Sequence, residues 1–527
     1  MTDLECYINV KGYIEYLKRI GKDRGGIEEG ATICVAGDLR SSTDRIMGAV
    51  ARAIEGSGCK VNNCGKIPTS ALVYYAMQNG CASMMVTGSH TPDDRNGIKP
   101  NKTNGEVLKS DESGIVKCIT QVRGQEYARL GTEASIFTQD AMFKTAKHLP
   151  EVNAEARQFY IERYLKVFPH DCLKDRRIVV YEHSAVGRDI MVEILQGLGA
   201  EVIREGRSDD KFIPVDTEAV RQEDLESVAK WAQKHRPFAV VSMDGDSDRP
   251  WLSDESGKFL RGDILGLIAA LYLGADFAAI PISSNDAIDM VLKDGPKLVR
   301  TKIGSPYIIE AMLDALRKGF RRVVGWEANG GFLTQSDISI NGKPLKALPT
   351  RDSVLPLICA LLLALRKEKS LSQLIETFPK RFTYADRLRE FPTETGRAIV
   401  RALSLEIKNM DTVRFDDEIT IIREGREKEI SKTDPLGIEL WERKKRIEQR
   451  YFAPEGFGTI AAIGFVDGVR IVFRNQDIIH FRPSGNAPEF RCYSNAGSPE
   501  RAGEIVRLGL DSIVSRVKND LETKMPM

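Results

Sequence analysis

Residues 32–61 read TICVAGDLRSSTDRIMGAVARAIEGSGCKV, and their pattern decides the fold. An apolar run at 33–36 leads into a polar loop, a helical pattern that ends near Ile54, and a second apolar run after a glycine turn. The same order recurs at 178–203 and again at 278–299. Repeated strand–helix–strand units of this kind predict parallel strand pairs covered by helices, and therefore three related α/β domains in tandem.

The repeated strand–helix–strand pattern ends at about residue 386. Short strand-like runs are followed by a helical pattern at 499–517, which predicts a smaller α+β domain. The strand-like runs lie at 458–466, 469–473 and 478–481. A charge-dense segment at 423–450 is typical of a solvated surface helix, and we assign it no function. Since 527 residues are too many for one core, we expect four domains, at 1–150, 151–270, 271–385 and 386–527.

The composition argues against several functions. A net charge of +1 is unlike that of a protein that coats nucleic acid. The most apolar run, at 354–365, is too short to span a bilayer and predicts a buried helix. The first residues lack a secretory-signal pattern, and nine cysteines without a Cys-x-x-Cys pair fit a reducing compartment. We therefore expect a cytoplasmic protein with neither a nucleic-acid nor a membrane partner.

A serine follows the apolar run at 82–86, in a turn that continues with His90 and, ten residues after the serine, Lys99. A serine displayed at a strand end can act as a nucleophile or carry a phosphoryl group, and this serine is Ser89. The alternative is an ordinary surface loop, because the segment is rich in glycine, proline, asparagine and aspartate.

Three alternating aspartates, Asp244, Asp246 and Asp248, follow the apolar run at 238–241. Carboxylates at this spacing in an extended chain point to one side and can converge on a hard cation such as Mg²⁺. A calcium-binding EF-hand is rejected, because Arg249 stands where that loop needs glycine and a strand precedes it. A polar turn with exposed aspartates remains as the alternative.

Two further loops carry groups suited to a sugar phosphate. The segment 482–488, with Arg491 after it, places a serine, a glycine and two arginines where they form a plausible phosphate cradle. In the segment 325–331, Glu327 and Asn329 lie in a glycine-rich turn and could bridge vicinal hydroxyls of a sugar. Taken alone, the first segment is a weak signal, because Pro-Ser-Gly turns are common. A simple turn with Trp326 as a packing residue would be the preferred interpretation of the second segment on its own.

Together, these four segments resemble the α-D-phosphohexomutase superfamily in order and spacing, from about residue 30 to 500. That family includes phosphomannomutases, phosphoglucomutases and phosphoglucosamine mutases. The metal loop matches its pattern throughout, and the serine loop departs only in having Thr91 for asparagine. Two loops depart further: Asn486-Ala487 replaces Thr-Glu, and Asn329-Gly330-Gly331 replaces Ser-Gly-His.

The resemblance implies a fold and an activity. The fold is three tandem α/β domains with mixed sheets sandwiched by helices, plus a smaller C-terminal α+β domain, around a central cleft. The serine, metal, sugar and phosphate loops fall one to each domain in that order. The activity is interconversion of a hexose 1-phosphate and a hexose 6-phosphate through a phosphoserine enzyme and a 1,6-bisphosphate, which also serves as activator.

The resemblance also implies residue roles. Ser89 carries the phosphoryl group and, with the three aspartates, holds one Mg²⁺. Lys99 takes part in proton transfer, His90 and Arg40 support the phosphoryl transfer, and Arg40, Lys99 and Arg249 supply positive charge. The implied substrate-binding residues are Arg249, Gly304, Ser305, Glu327, Asn329, Arg482, Ser484, Gly485, Asn486 and Arg491.

The segments 348–356 and 93–97 look most like a bacterial phosphomannomutase branch, which points to mannose phosphates. The alternatives are a phosphoglucomutase, a phosphoglucosamine mutase, or an inactive sugar-phosphate-binding protein. A serine hydrolase is disfavoured, because Ser89 is not in a Gly-x-Ser-x-Gly elbow and its neighbour His90 is poorly placed as a base. The expected partner is a small phosphosugar, and the expected state is a monomer or homodimer.

Overall fold

The computed structural model describes residues 1–145, 148–405, 410–423, 426–485 and 487–523. The chain divides into two units. The first unit comprises Met1–Ile280, Gly295–Val299 and Gly304–Thr377, and the second comprises Pro281–Asp294, Arg300–Ile303 and Phe378–Met527. The four predicted domain bounds stay predictions.

The opening stretch folds as a strand, a helix and a parallel strand in the first sheet. The strand order in this sheet is Lys60–Lys66, Thr32–Gly37, Ala82–Val86, Ile98–Lys102 and Gly105–Glu106. The first three strands are parallel and the last two are antiparallel additions, so the sheet is mixed. The surrounding helices are Asp3–Arg19, Thr43–Gly56, Thr69–Gln78 and Lys109–Arg129. The pairing of Met85 with Lys99 brings that lysine alongside the strand that leads to Ser89.

The second sheet repeats this plan. Its strand order is Phe259–Leu260, Pro250–Ser253, Ala239–Met243, Arg177–Tyr181 and Glu201–Glu205. The last three strands are parallel, and the first two join them as antiparallel neighbours. The helices of this region are Glu155–Leu165, Arg188–Gly197, Gln222–His235 and Gly262–Leu273.

The third sheet is also mixed. Its strand order is Lys297–Thr301, Phe277–Pro281, Val323–Trp326, Phe332–Thr334 and Leu348–Asp352. A separate hairpin pairs Ile338–Ile340 with Lys343–Leu345. The helices here are Ser305–Arg317, Val354–Arg366 and Leu371–Ile375. The helix predicted from the apolar run at 354–365 is confirmed, and it is buried.

The helix of the third repeat is shorter than the helices of the first two repeats. It covers only Ala287–Val291, and it belongs to the second unit. Asp286, the residue before this helix, has its contacts in the second unit. Its backbone N–H donates to Asn495 Oδ1 at 3.2 Å, and its carboxylate pairs with Arg381 at 2.8 Å.

The second unit is built on an eight-stranded antiparallel sheet. The strand order is Phe382–Arg389, Glu489–Ala496, Ile478–Pro483, Val469–Phe473, Ile460–Gly464, Thr412–Phe415, Ile419–Arg423 and Arg426–Ile430. The three strands predicted at 458–481 are confirmed. The helices are Thr393–Ala402, Pro435–Ile447, Pro499–Leu508 and Val514–Glu522, and a wider turn at Gly509–Ile513 joins the last two. The final helical region therefore extends beyond its predicted end.

The charge-dense segment at 423–450 contains a surface helix, as predicted, but the helix covers only part of the segment and has a buried face. Part of it is the edge strand Arg426–Ile430, and part is the helix Pro435–Ile447. Leu440 and Ile447 are buried in the hydrophobic core of the second unit. Lys444 is buried on the same face and pairs with Glu448 at 2.7 Å. The many charged residues of the helix hide this apolar stripe in the composition.

The predicted loops leave the carboxyl ends of central strands in the first unit. Val86 precedes the serine turn, Met243 precedes the three aspartates, and Trp326 precedes the sugar loop, and all three are buried. Ligands of α/β sheets bind at these strand ends. Among the residues that the structure describes, no helix has both the length and the hydrophobicity to cross a membrane.

Candidate active site

The serine turn has a restrained backbone. Ser89 adopts a positive φ of 53°, and its N–H donates to Thr87 Oγ1 at 2.7 Å. A Cβ on Gly88 would lie 2.1 Å from the carbonyl oxygen of Arg95, so only glycine fits there. Ser89 is nearly buried, and its Oγ donates a hydrogen bond to Asp244 Oδ2 at 2.8 Å. The serine loop and the metal loop therefore meet at the predicted nucleophile.

The guanidinium of Arg40 holds the serine turn through hydrogen bonds to its backbone carbonyls. Its Nε donates to Asp38 Oδ2 at 3.0 Å, and its Nη2 donates to the carbonyls of Ser89 and Thr91 at 2.6 and 2.7 Å. Its Nη1 donates to the carbonyls of Pro92 and Arg95. All five N–H groups of the guanidinium are used in this way. Arg40 is thus a positioning residue for the serine loop, whereas the sequence had suggested a direct source of positive charge.

We expect Arg40→Lys to lower kcat by about 10- to 100-fold, because lysine cannot fill five donor positions and Ser89 loses its fixed geometry. The thermal midpoint should fall too, because the Arg40–Asp38 pair has no exposed surface. Steady-state kinetics and a melting curve measure both. Arg52→Lys is the matched control, since Arg52 donates to the Thr145 carbonyl and lies over the Phe143 ring, both outside the serine turn. Equal kinetics for Arg40→Lys and the wild type would contradict the assigned role.

Each aspartate of the metal loop is held by the protein through at least one oxygen, and Asp246 and Asp248 each keep one oxygen for a ligand. Asp244 Oδ1 accepts the backbone N–H groups of Asp248 and Arg249, both at 3.1 Å. Asp246 Oδ2 accepts Thr69 Oγ1 and Lys99 Nζ, both at 2.6 Å. The second oxygens of Asp246 and Asp248 are buried and have no hydrogen-bond partner among the described residues.

This arrangement fits a divalent cation. One carboxylate oxygen from each aspartate lies within 4.8 Å of the other two, and the three residues are fully buried. Buried carboxylate oxygens without partners are unfavourable unless a cation or a proton neutralises them. Burial, together with the charges of Asp246 and Asp248, raises the pKa of Asp244 well above its usual value. Oxygen-only ligands are those that Mg²⁺ prefers.

Lysine and arginine side chains balance the remaining charge. Asp248 Oδ2 accepts Lys99 Nζ at 2.9 Å and Arg351 Nε at 3.0 Å. Burial alone would raise the pKa of Asp248, but Arg351 and Lys99 hold that pKa below the ordinary range. Burial likewise opposes the charge of Lys99, yet Asp246 and Asp248 raise its pKa above the usual value. Lys99 is therefore a cation beside the serine and metal loops.

His90 and Arg249 contact each other across the two loops. Arg249 Nη1 lies 2.7 Å from His90 Nδ1, and His90 Nε2 lies 3.6 Å from Asp216 Oδ2. Burial, and then the charge of Arg249, lower the pKa of His90. A neutral imidazole can accept the arginine hydrogen bond at Nδ1, so His90 helps to hold Arg249 between the metal loop and the serine loop.

The sugar loop is braced by its own side chains. Asn329 Oδ1 accepts the Gly331 N–H at 3.0 Å, and the Asn329 carbonyl accepts Thr217 Oγ1 at 2.9 Å. Trp326 is buried and donates to the Asp263 carbonyl at 2.9 Å. Glu327 Oε2 accepts Arg351 Nη1 at 2.9 Å. Trp326 is thus a packing residue, and Glu327 lies beside the guanidinium of Arg351.

Sequence reasoning missed Thr69, Phe212 and Arg351. Thr69 holds Asp246, and the ring of Phe212 lies 4.1 Å from the Arg40 guanidinium carbon. Arg351 joins the metal loop to the sugar loop. The segment around Arg351 was noted above only for its likeness to a branch of the family. Their roles depend on long-range contacts that carry no local signal.

Gly304 and Ser305 start the helix Ser305–Arg317. Gly304 has a φ of 128°, and Ser305 Oγ donates to Glu106 Oε2 at 2.6 Å. The other oxygen of Glu106 accepts Thr350 Oγ1 at 2.6 Å. The hydroxyl of Ser305 is thus engaged with the first sheet's edge strand, and a substrate contact for these two residues stays a prediction.

The second unit contains the predicted phosphate loop. Arg482 and Arg491 are opposite each other on adjacent strands, and Arg387 is opposite Arg491 on the next strand. Arg482 pairs with Asp467 at 2.8 Å, and Arg491 pairs with Glu489 at 2.9 Å. Arginines on neighbouring strands form a cationic row suited to an anion. Arg387 had not been predicted.

The predicted phosphate loop also contains Ser484, Gly485 and Asn486. Ser484 is buried, and its N–H donates to the Glu489 carbonyl at 2.8 Å. Gly485 has open space around it. Asn486 lies outside the described residues.

A serine hydroxyl bound to a buried aspartate cluster, with Lys99 and Arg249 beside the same cluster, is the arrangement expected of an enzyme of phosphoryl transfer. Three family models match the chain, described as phosphoglucomutase/phosphomannomutase α/β/α domains I, II and III, at residues 8–126, 158–257 and 261–382. The chain belongs to the phosphoglucomutase/phosphomannomutase family and is a hexose phosphate mutase.

Individual relatives agree with this assignment. A phosphomannomutase of Sinorhizobium fredii is 38% identical over 94% of this chain and 93% of its own length. A phosphomannomutase of Salmonella muenchen is also 38% identical, over 92% of this chain and 88% of its own length. The structure of a phosphoglucomutase/phosphomannomutase family protein from Burkholderia thailandensis matches with a TM-score of 0.64 and 16% identity, covering 99% of this chain and 92% of that one. The predicted family and fold class are confirmed.

Proposed function

We propose that this protein interconverts mannose 1-phosphate and mannose 6-phosphate, with Ser89 as a phosphoserine. The observation that carries the chemistry is the 2.8 Å hydrogen bond between Ser89 Oγ and Asp244 Oδ2, beside the ammonium of Lys99. The sugar assignment draws support from the two phosphomannomutases that are 38% identical over most of the chain.

The reaction begins with a phosphoryl group on Ser89. The bond between Ser89 Oγ and phosphorus breaks, and a bond forms between that phosphorus and a hydroxyl oxygen of the bound hexose monophosphate. The hexose hydroxyl loses its proton, and Ser89 Oγ ends with one. The product is a hexose 1,6-bisphosphate, which turns end for end and returns its other phosphoryl group to Ser89. The bisphosphate is also the activator that phosphorylates a bare Ser89.

The residues around Ser89 act mainly by position and charge. Arg40 fixes the backbone carbonyl of Ser89, and Arg249 and Lys99 supply positive charge next to the metal loop. Phosphoryl transfer needs little covalent help, so such fixed charges are the main contribution of the protein. Lys99 is the proposed partner in proton transfer. When Mg²⁺ is bound, held by Asp244, Asp246, Asp248 and the phosphoserine, it neutralises charge on the transferring phosphoryl group.

The remaining roles concern substrate recognition. Glu327 binds sugar hydroxyls, and Arg482, Ser484, Gly485 and Arg491 bind the phosphate that is not reacting. Arg387 joins this group, because it lies beside Arg491 in the sheet. A cytoplasmic location, a monomeric or dimeric state and the absence of a nucleic-acid partner stay predictions.

The substrate assignment predicts an order of activities. With a hexose 1,6-bisphosphate as primer and Mg²⁺ present, we expect kcat/KM for mannose 1-phosphate to exceed that for glucose 1-phosphate and for glucosamine 1-phosphate. A coupled assay that follows formation of each 6-phosphate measures this order. A preference for glucose 1-phosphate or glucosamine 1-phosphate would refute the mannose assignment and leave the mutase chemistry intact.

An inactive sugar-phosphate-binding protein is the second candidate, because the sugar and phosphate loops depart from the family pattern. The intact mass of the purified protein, before and after phosphatase treatment, distinguishes the two. An active mutase is expected to carry about one removable phosphate, which peptide mapping should locate at Ser89. Absence of phosphate even after incubation with a hexose 1,6-bisphosphate would favour the binding protein.

A further inference from the structure

Arg351 connects two loops whose functions differ. Its Nε donates to Asp248 Oδ2 in the metal loop at 3.0 Å, and its Nη1 donates to Glu327 Oε2 in the sugar loop at 2.9 Å. The Arg351 side chain is only 15% exposed, and that of Glu327 only 10%. Because the guanidinium is planar and its donors are rigidly spaced, two carboxylates bound to it are fixed relative to each other.

The contact leaves half of the Glu327 carboxylate available. Oε2 is held by Arg351, whereas Oε1 has no hydrogen bond to any other described residue in this structure. A carboxylate oxygen that is fixed in direction and has no donor from the protein is suited to accept a hydrogen bond from a sugar hydroxyl. Without Arg351, Glu327 would be able to rotate, and the position of that acceptor would be lost.

Gly331 supplies the space through which Arg351 reaches Glu327. A Cβ at this position would lie 2.6 Å from both Cγ and Cδ of Arg351 and 3.0 Å from its Cβ. Gly331 does not have a positive φ, so an alanine there would be opposed by this side chain and not by its own backbone. The unusual glycine of the sugar loop and the arginine twenty residues later therefore form a matched pair.

We infer that Arg351 is a positioning residue for sugar recognition, which orients Glu327 against the metal loop, and that Gly331 is glycine because Arg351 passes over it. This inference rests on the proposed function, since it names how that function selects its sugar. Arg351 acts through Glu327, and the specificity of the enzyme for hydroxyl configuration depends on both.

The first test uses sugar preference. We expect Arg351→Ala to reduce the ratio of kcat/KM for mannose 1-phosphate to that for glucose 1-phosphate by about 10-fold, because a misplaced acceptor no longer discriminates hydroxyl configuration. Arg351→Lys should recover part of the rate and little of the ratio, since one ammonium cannot span both carboxylates. Arg204→Ala is the control, because Arg204 also bridges two carboxylates, Glu182 and Asp189, away from the site.

The second test is a double-mutant cycle between Gly331 and Arg351. Gly331→Ala should lower kcat/KM by about 10-fold in the wild-type background and by less than about 2-fold in Arg351→Ala, because the clash is then removed. Melting curves of the same four proteins in EDTA, without substrate, should show the same coupling in the thermal midpoint. That second readout does not depend on turnover.

The outcomes separate the inference from the proposed function. A wild-type enzyme that turns over no hexose phosphate overturns the proposed function. An active enzyme whose sugar ratio is unchanged in Arg351→Ala overturns the inference, as does a Gly331→Ala effect of equal size in both backgrounds. A changed sugar ratio together with a cycle that couples the two positions supports it.

Discussion

Ser89→Ala is expected to abolish mutase turnover, with a loss of about 10⁴-fold or more. Alanine removes the oxygen that is proposed to carry the phosphoryl group. The fold should persist, because Ser89 Oγ makes one hydrogen bond, to Asp244, and the turn is held by Thr87 and Arg40. The primed coupled assay measures turnover, and circular dichroism with a melting curve measures the fold.

Ser83→Ala is the matched control for this prediction. Ser83 lies on the strand that leads to the serine turn, and its buried hydroxyl has no hydrogen-bond partner among the described residues. That variant should keep normal activity. Near-normal turnover by Ser89→Ala itself would end the phosphoserine mechanism, whatever its stability.

Asp246→Asn should have the next largest effect. The change keeps the shape of the side chain but removes one of three negative charges and one of the two carboxylate partners of Lys99. We expect kcat/KM to fall by about 100-fold or more, and the Mg²⁺ concentration for half-maximal rate to rise together with it. A titration of Mg²⁺ into the coupled assay gives both quantities in one experiment.

The control for the metal prediction is Asp224→Asn. Asp224 is also buried in the first unit, where it binds the Tyr181 hydroxyl and Arg221, and it is not part of the aspartate cluster. Its Mg²⁺ response should match that of the wild type even if its melting temperature falls. An Asp246→Asn enzyme with an unchanged Mg²⁺ response would remove that residue from the proposed metal site.

The parts of the site that follow a strand directly could be predicted from the sequence. Ser89 and Asp244 each come a few residues after a buried apolar run, so their places at the strand ends follow from the pattern alone. Lys99 lies on the next strand after Met85 and pairs with it, which brings Lys99 beside the strand that leads to Ser89. The resemblance to a known family joined these local predictions into one site.

The rest depends on which distant segments pack together. Arg351 is 103 residues from Asp248 in the chain, and Thr69 is 177 residues from Asp246. No local periodicity encodes such contacts. The positioning contacts of Arg40 could not be predicted for a related reason, because its charge is visible in the sequence and the five acceptors that it binds are not. The buried face of the helix at Pro435–Ile447 was missed because charge outnumbers its apolar stripe.

The restraints on the three aspartates have a consequence for the synthesis of the protein. When the ribosome has made Asp248, the nascent chain already contains Thr69 and Lys99, but the last restraint, Arg351, is still 103 residues away. A chain that stops before that point has the three aspartates with one cationic side chain fewer among them. The aspartate cluster thus receives its last charged partner late in synthesis, when the third sheet has been made and has packed against it.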